Sequence, residues 1–292
     1  MADSTDRSLI SAAQLNRHRV AYRVVLTLIV VIFTLIFIGP LYFLFSDGLK
    51  STQEAVQVPP TLVPAHVHPG SYTAAWSRVG LGRLLVNTLY YAFGALAFQL
   101  VFDVAAAYSL SRLRPVLGNV IFALMLATLM IPATVLIVPQ YVTVSDLPLL
   151  HLNLIGSPEA IWLPSVANAF NIFLLKRFFD SIPAELLQAA AIDGASPLRT
   201  LRSVVLPISR PIIGVVSIFS LVAVWKDFLW PLLTLTDPAK QTLNVGLSQA
   251  VQGTAPNLLI AASAMAAVPT IAFFLIFQRN IMAGLTAGGI RG

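Results

Sequence analysis

The sequence predicts an all-α protein that lies in a membrane through six transmembrane helices. Three observations carry this reading. Of 292 residues, 57% are hydrophobic and only 10% are charged. A soluble domain carries roughly 25% charged residues, so this chain has too little charge to cover a water-facing surface. Second, six apolar runs match the ~20 residues that cross a bilayer as a helix. They are too long, and too little alternating, for barrel strands of ~9–11 residues. Third, Lys and Arg are shared unevenly between the links that join the runs. The chain has no Cys, which excludes disulfides, thiolate metal sites and thiol catalysis.

Taken in order, a polar N-terminal tail, 1–21, precedes an uncharged run from Val24 to Phe45. That run exceeds the ~7–15 residues of a signal-peptide apolar region, so it reads as a span at about 22–46. A long link follows, about 47–85, with Pro59, Pro60, Pro64 and Pro69. It is too polar for lipid, and its Tyr72 and Trp76 suit either the bilayer interface or an external contact. Further spans are expected at about 86–110, 117–142, 158–177, 211–235 and 258–280. Pro132 and Pro139 should kink the third, because proline removes a helical donor.

With the N-terminus inside, the inner segments hold Arg7, Arg17, Arg19, Arg23, Arg112, Arg114, Lys176, Arg177, Arg199, Arg202, Arg210, Arg279 and Arg291. The outer links hold Lys50, Arg78, Arg83 and Lys240. The positive-inside rule then places both termini in the cytoplasm. It also explains the net charge of +6 as a topology signal rather than a nucleic-acid footprint.

The link between the fourth and fifth spans, about 178–210, falls on the cytoplasmic side and is built rather than merely connecting. Ser181 is placed to cap a helix starting at Ile182-Pro183, where proline is tolerated in the first turn. Glu185 complements the positive end of the helix dipole. Ala189, Ala190 and Ala191 favour helix and let a partner approach the backbone. Gly194 supplies the left-handed residue that ends a helix. Pro197 opens a second short helix, and Pro207 and Pro211 lead into the fifth span. Such a helix either rests on the lipid surface or docks into a soluble partner. Three successive alanines make a poor lipid anchor, which favours docking.

The motif reads Gln188-Ala189-Ala190, three residues, Gly194, nine residues, then Val204-Val205-Leu206-Pro207. This resembles the cytoplasmic motif of binding-protein-dependent ABC importers: Glu-Ala-Ala, three residues, Gly, nine residues, Ile-x-Leu-Pro. The leading Glu is here Gln188, which removes a charge, and Glu185 lies one turn earlier. The likeness runs through nearly the whole chain and is similar to the second permease of maltose-type, carbohydrate-importing systems. It includes Gly48-Leu49-Lys50, Glu54, Pro59-Pro60 and Tyr72. It continues through Asn87-Thr88-Leu89, Tyr108-Ser109-Leu110-Ser111-Arg112-Leu113 and Trp225-Lys226-Asp227-Phe228-Leu229-Trp230-Pro231-Leu232, and ends with Gln278-Arg279 and Gly284-Leu285-Thr286-Ala287-Gly288.

The resemblance implies a type I ABC importer permease fold over 22–292 in the bacterial cytoplasmic (inner) membrane. It assigns coupling to Glu185, Gln188, Ala189, Ala190, Asp193, Gly194, Leu206 and Pro207. It further implies a homologous permease as partner, a dimeric cytoplasmic ATPase subunit that binds ATP and Mg, and an extracytoplasmic sugar-binding protein. No G-x-x-x-x-G-K-[ST] phosphate loop is visible in the sequence, so ATP hydrolysis is expected on the other chain and this one is not an enzyme. No metal site is expected, because His18, His66, His68 and His151 are scattered. No nucleic acid is expected, and lipid surrounds the spans.

Gln99, Asp103, Asn168, Asn171, Lys226 and Asp227 lie within predicted spans. A charge near the bilayer centre costs roughly 2.5–3.5 kcal/mol, so such residues face protein or water. They form either a translocation path or pairs inside the bundle. Lys226 and Asp227, if on one helix, point about 100° apart and do not share a pathway squarely. Asn168, Asn171 and Gln99 suit sugar hydroxyls or interhelical hydrogen bonds equally. The resemblance implies that the partner permease supplies most sugar contacts. Two other functions fit a six-span chain, an ion-coupled secondary transporter and a non-transporting assembly subunit. The first gives the 178–210 loop no role and no inverted repeat marks it; the second would show as tight association without substrate-dependent ATPase stimulation.

Overall fold

The computed structural model describes residues 19–289, with side chains from 20 to 278. Most of the N-terminal tail, with Arg7 and Arg17, and the C-terminal Arg291-Gly292 lie outside the described residues. The chain divides into two compact units, 1–74 with 255–264, and 75–254 with 265–292.

Helix α1, Arg19–Asp47, is apolar on every side and none of its most apolar window is buried. It leads to a short helix α2, Thr52–Ala55, capped by Ser51, and to α3, Gly70–Val79. The link at about 47–85, expected as a loop, is therefore partly helical. In the first unit its pieces close on a few buried polar groups. Lys50, 1% exposed, pairs with Asp47 at 2.6 Å and donates to the Thr61 carbonyl. Asn257 donates to the Lys50 carbonyl and Ser71 Oγ and accepts from Thr52 Oγ1 at 2.8 Å. Tyr72 donates to the Phe45 carbonyl at 2.8 Å and lies over Gly48, where a Cβ would stand 2.9 Å from the tyrosine oxygen and 3.0 Å from Ala261 Cα. Tyr72 is thus an internal strut rather than an interface marker. Glu54 Oε1 accepts from Thr61 Oγ1 and the Ala65 N–H, both at 2.9 Å. The Ala65 bond, followed by Thr61 and the nearby Lys50 charge, outweighs the opposing effect of desolvation and holds the Glu54 carboxyl below its usual range.

The second unit is organised around α4, Leu81–Tyr108. Gly80, at φ +69, turns the chain between α3 and α4. The buried positions of α4, including Leu84, Thr88, Tyr91, Ala95, Gln99, Asp103 and Ala107, recur at three and four residues and form one inward stripe. A π-helical turn, Ser109–Leu113, ends it. There follow α5, Gly118–Thr128, α6, Ile137–Ser145, α7, Glu159–Trp162, and α8, Ala169–Ser181. Then come α9, Ala184–Ile192, α10, Pro197–Thr200, a second π turn, Leu201–Val205, and α11, Leu206–Ile208. The chain continues with α12, Arg210–Lys226, α13, Leu229–Thr234, α14, Leu243–Ala250, and α15, Pro256–Gly289. The described residues form no strand, only an isolated bridge between Leu147 and Leu152. Helix α4 packs most extensively on α12 and α8. Their shared core holds Val104, Ala107, Tyr108, Ile172, Leu175, Phe179, Ile182, Val205 and Val216.

Among the described residues, three helices are long and apolar enough to cross a membrane: Val20–Asp47, Leu81–Leu113 and Pro256–Gln278. Two bent pairs raise the number to five: Gly118–Thr128 with Ala133–Ser145, at 99°, and Pro197–Ile208 with Arg210–Lys226, at 82°. The first bend lies at Pro132, as expected from its missing donor. Pro139 sits in the first turn of α6, where that donor is not needed. The run at 158–177, expected as one helix, is split into α7 and α8. Pro164 cannot donate, and Ser165 Oγ turns back to the Ile161 and Trp162 carbonyls at 3.1 and 3.0 Å.

A candidate coupling loop and a polar seam

Helix α9 is a complete unit with its own stop signal. Gly194 sits at φ +72. The Ala195 N–H reaches the Ala190 carbonyl at 2.9 Å and the Gly194 N–H reaches Ala191 at 3.0 Å. This is the paired Schellman closure, which uses up carbonyls that a helix end would otherwise leave open. Nothing lies within 4 Å of a Cβ at Gly194, so backbone conformation rather than packing demands glycine there. Ser196 then caps α10 by accepting from the Arg199 N–H at 3.3 Å, with Pro197 in the first turn.

The start of α9 differs from expectation. Ser181 does not cap it. Its hydroxyl donates back to the Phe178 carbonyl at 2.7 Å, closing α8, and Pro183 occupies the cap position without a side-chain bond. Because α8 runs on to Ser181, that residue is committed to the preceding helix.

The two faces of α9 are distinct. Leu187 packs on the core and Ala190 is 8% exposed. By helical geometry Glu185 and Ile192 lie opposite that inner pair, and Gln188 and Ala189 flank them. All four are exposed. Ile192 is 87% exposed, an apolar side chain with no cover. Asp193 is the C-cap and is exposed. Leu206 packs partly against the core and Pro207 is exposed. The expected coupling residues therefore divide: Glu185, Gln188, Ala189 and Asp193 face outward, Ala190 and Leu206 face the protein's own interior, and Gly194 sets the backbone. Sequence reasoning does not single out Ile192, although its place four residues after Gln188 puts it near that face.

The polar residues of the spans also divide. Asp103, fully buried on α4, accepts from the Asn168 N–H at 2.9 Å. Asn168 caps α8 through the Asn171 N–H, and Asn171 Nδ2 donates to Ser220 Oγ on α12 at 3.1 Å. Asp103, Asn168 and Asn171 thus form one seam through α4, α8 and α12, and bonding between helices is one of the two roles expected of them. Asp103 Oδ2 is buried without a partner among the described residues. Gln99 is buried on α4, one turn from Asp103.

Lys226 and Asp227 do not share a helix. Helix α12 ends at Lys226 and Asp227 is extended, with φ −67 and ψ 132. The freed Trp225 carbonyl accepts from Asn244 Nδ2 at 3.0 Å. Lys226 is exposed, and the part-buried Asp227 lines a cavity of about 370 Å³ together with Thr134, Gln140, Trp230 and Thr242.

Residues 99–282, which include the seam and the whole α8–α12 loop, match the family model described as binding-protein-dependent transport system inner membrane component. The chain belongs to this family. Among its relatives, an sn-glycerol-3-phosphate transport system permease protein of Rhizobium meliloti is 31% identical, covering 88% of this chain and 94% of that protein. A melibiose/raffinose/stachyose import permease protein of Bacillus subtilis is 32% identical, covering 92% and 96%. A solved bacterial ABC transporter involved in the import of the acidic polysaccharide alginate has a chain that superposes with TM-score 0.80 at 23% identity, covering 93% of this chain and 99% of that one. That likeness shows a shared fold. The protein is accordingly a permease subunit of an ABC importer, an inner-membrane component and not an enzyme.

Proposed function

We propose that this permease carries a carbohydrate or a polyol derivative across the membrane. It would do so with a homologous permease, a cytoplasmic ATPase dimer holding ATP and Mg, and an external binding protein. The observation that carries the reading is α9: a self-closed helix that exposes Glu185, Gln188, Ala189 and Ile192 in a chain of this family. The names of the two relatives support the substrate class. In the proposed topology six crossings are made by α1, α4, α5 with α6, α7 with α8, α12 with α13, and α15, with both termini and α9 in the cytoplasm. The uneven Lys and Arg distribution supports that orientation. Gln99, Asp103, Asn168, Asn171, Lys226 and Asp227 are assigned to the bundle interior and path. Asp103, Asn168 and Asn171 hold helices in register, and Asp227 faces the cavity.

The uncovered Ile192 side chain is the contact to test. Ile192→Arg should abolish co-purification of the ATPase subunit while leaving the permease pair in the membrane. Retained association and normal uptake would place docking elsewhere on the chain.

A further inference from the structure

The end of α4 holds the loop that carries α9 on both sides. Ahead of α9, the Arg112 guanidinium donates through Nη2 to the Phe179 carbonyl and, at 3.0 Å, to the Ile182 carbonyl. Ser111 Oγ donates to Asp180 Oδ1 at 2.6 Å, and Asp180 Oδ2 takes Lys176 at 2.8 Å. Beyond α9, the Tyr108 hydroxyl donates to the Pro197 carbonyl at 3.0 Å. The carbonyls that Arg112 reaches belong to the last turn and cap of α8, where the dipole favours a cation. Both bonds use the two N–H groups of a single nitrogen, Nη2, so one charged head joins the last turn of α8 to its cap residue. The side chains of this grip all come from one short stretch, Tyr108 to Arg112, which contains the start of the π turn closed by the Arg114 N–H on Ser109 O at 2.9 Å. Below the grip, Val104, Ala107 and Tyr108 pack in the same core as Phe179, Ile182 and Val205.

We infer that Arg112 and Tyr108 are positioning residues that lock the α9 loop to α4 as one rigid body, so that a displacement of α9 becomes a displacement of α4 and of the helices packed on it. The inference rests on α9 being the docking helix. Three hydrogen bonds before α9 and one after it leave the loop no free end in which a push could be absorbed. Helix α4 then passes the motion to α8 and α12, through Asp103 and Asn168 among other contacts. Small shifts are transmitted in this way because packed elements move as blocks.

The test uses the complete transporter in vesicles and exploits the absence of native Cys in this chain. Spin labels on cysteines at the exposed positions Val116, in the turn that follows the π-helical end of α4, and Leu198, on α10, report the distance between the grip and the loop. A single narrow distance with and without ATP is expected. In Arg112→Ala, and more mildly in the isosteric Tyr108→Phe, the distribution should broaden. The ATPase subunit should stay bound, while transport per ATP falls about tenfold in Arg112→Ala, the scale of a typical coupling term. Arg112→Lys should recover part of the loss. An unchanged distance distribution in both variants, or hydrolysis and transport falling in proportion, would overturn the clamp. Loss of the docking assignment alone would show instead as ATPase association surviving Ile192→Arg.

Discussion

The segment 47–74 and the loop 181–210 each connect longer helices, yet they are built in opposite ways. In the first, a few side chains do the anchoring: Lys50 and Tyr72 bond to backbone carbonyls, and Asn257 of α15 bonds to Thr52, Ser71 and the Lys50 carbonyl, while Val58, Leu62, Val63 and Val67 stay exposed. In the second, α9 and α10 close their own ends through Gly194, Ala195 and Ser196, leaving Glu185, Gln188 and Ile192 exposed. A segment fixed by side chains spends polar groups on its own anchorage. A segment fixed by its own backbone keeps its outer side chains free. The difference is one of anchorage: side chains hold the first segment in place, and backbone closure shapes the second.

The sharpest way to break this contrast is at Lys50. Lys50→Ala leaves Asp47 without its partner and removes the bond to Thr61. A cost of about 3 kcal/mol is expected for a largely buried pair, visible as a large fall in the thermal unfolding temperature in detergent. No exposed residue of α9 should match it. Asn257→Ala comes next, losing its bonds to Thr52, Lys50 and Ser71, with about 2 kcal/mol expected for buried groups left unpaired. Gly194→Ala should cost about 1 kcal/mol, because the penalty is that of a left-handed backbone alone with no clash. Limited proteolysis should show the change at 192–197 ahead of global unfolding.

Acid sensitivity refines the same comparison at Asp180, in the last turn of α8 and beyond the apolar run at 158–177. Burial pushes its carboxyl up, but the bonds from Lys176 and Ser111, with the charges of Lys176 and Arg112, outweigh this and hold it below its ordinary value. A depressed carboxylate contributes stability that is present above its unfolded pKa and is lost as pH falls through the folded one. The grip on α8 should therefore be constant near neutral pH and loosen only below the usual carboxylate range. Asp180→Asn should flatten that acid limb in a protease-sensitivity profile. The smallest effect is expected from Gln188→Glu. Residue 188 is exposed, so stability should not change measurably, and ATPase coupling should be retained. A loss of coupling would mean that the partner surface has been rebuilt around a neutral residue.

Much of the loop is legible in residue order alone. Gly194, Pro197 and the Gln188–Pro207 spacing are local signals whose meaning depends on a few neighbouring dihedrals and donors. The apolar runs of α1, α4 and α15 are legible for a similar reason, since lipid demands a continuous apolar stretch whatever it packs against. Pro132 announces its bend. The split of 158–177 is harder to read, because its hydropathy is that of a span and only Pro164 and Ser165 mark the break. The end of α12 at Lys226 is marked locally only by Pro231, which cannot donate to the Asp227 carbonyl, and Asn244 takes up the freed Trp225 carbonyl.

Composition, run length and charge placement thus determined that the chain is helical and belongs in a membrane, and motif spacing determined its family likeness. These are properties summed along the chain or confined to a single turn. The tertiary structure alone decided that Ala190 faces inward while Ile192 faces out, that Asp103 holds the start of α8, and that Tyr108 and Arg112 reach carbonyls 89, 67 and 70 residues away. Those outcomes depend on which distant groups arrive within hydrogen-bonding reach, and residue order along a chain does not encode that distance directly.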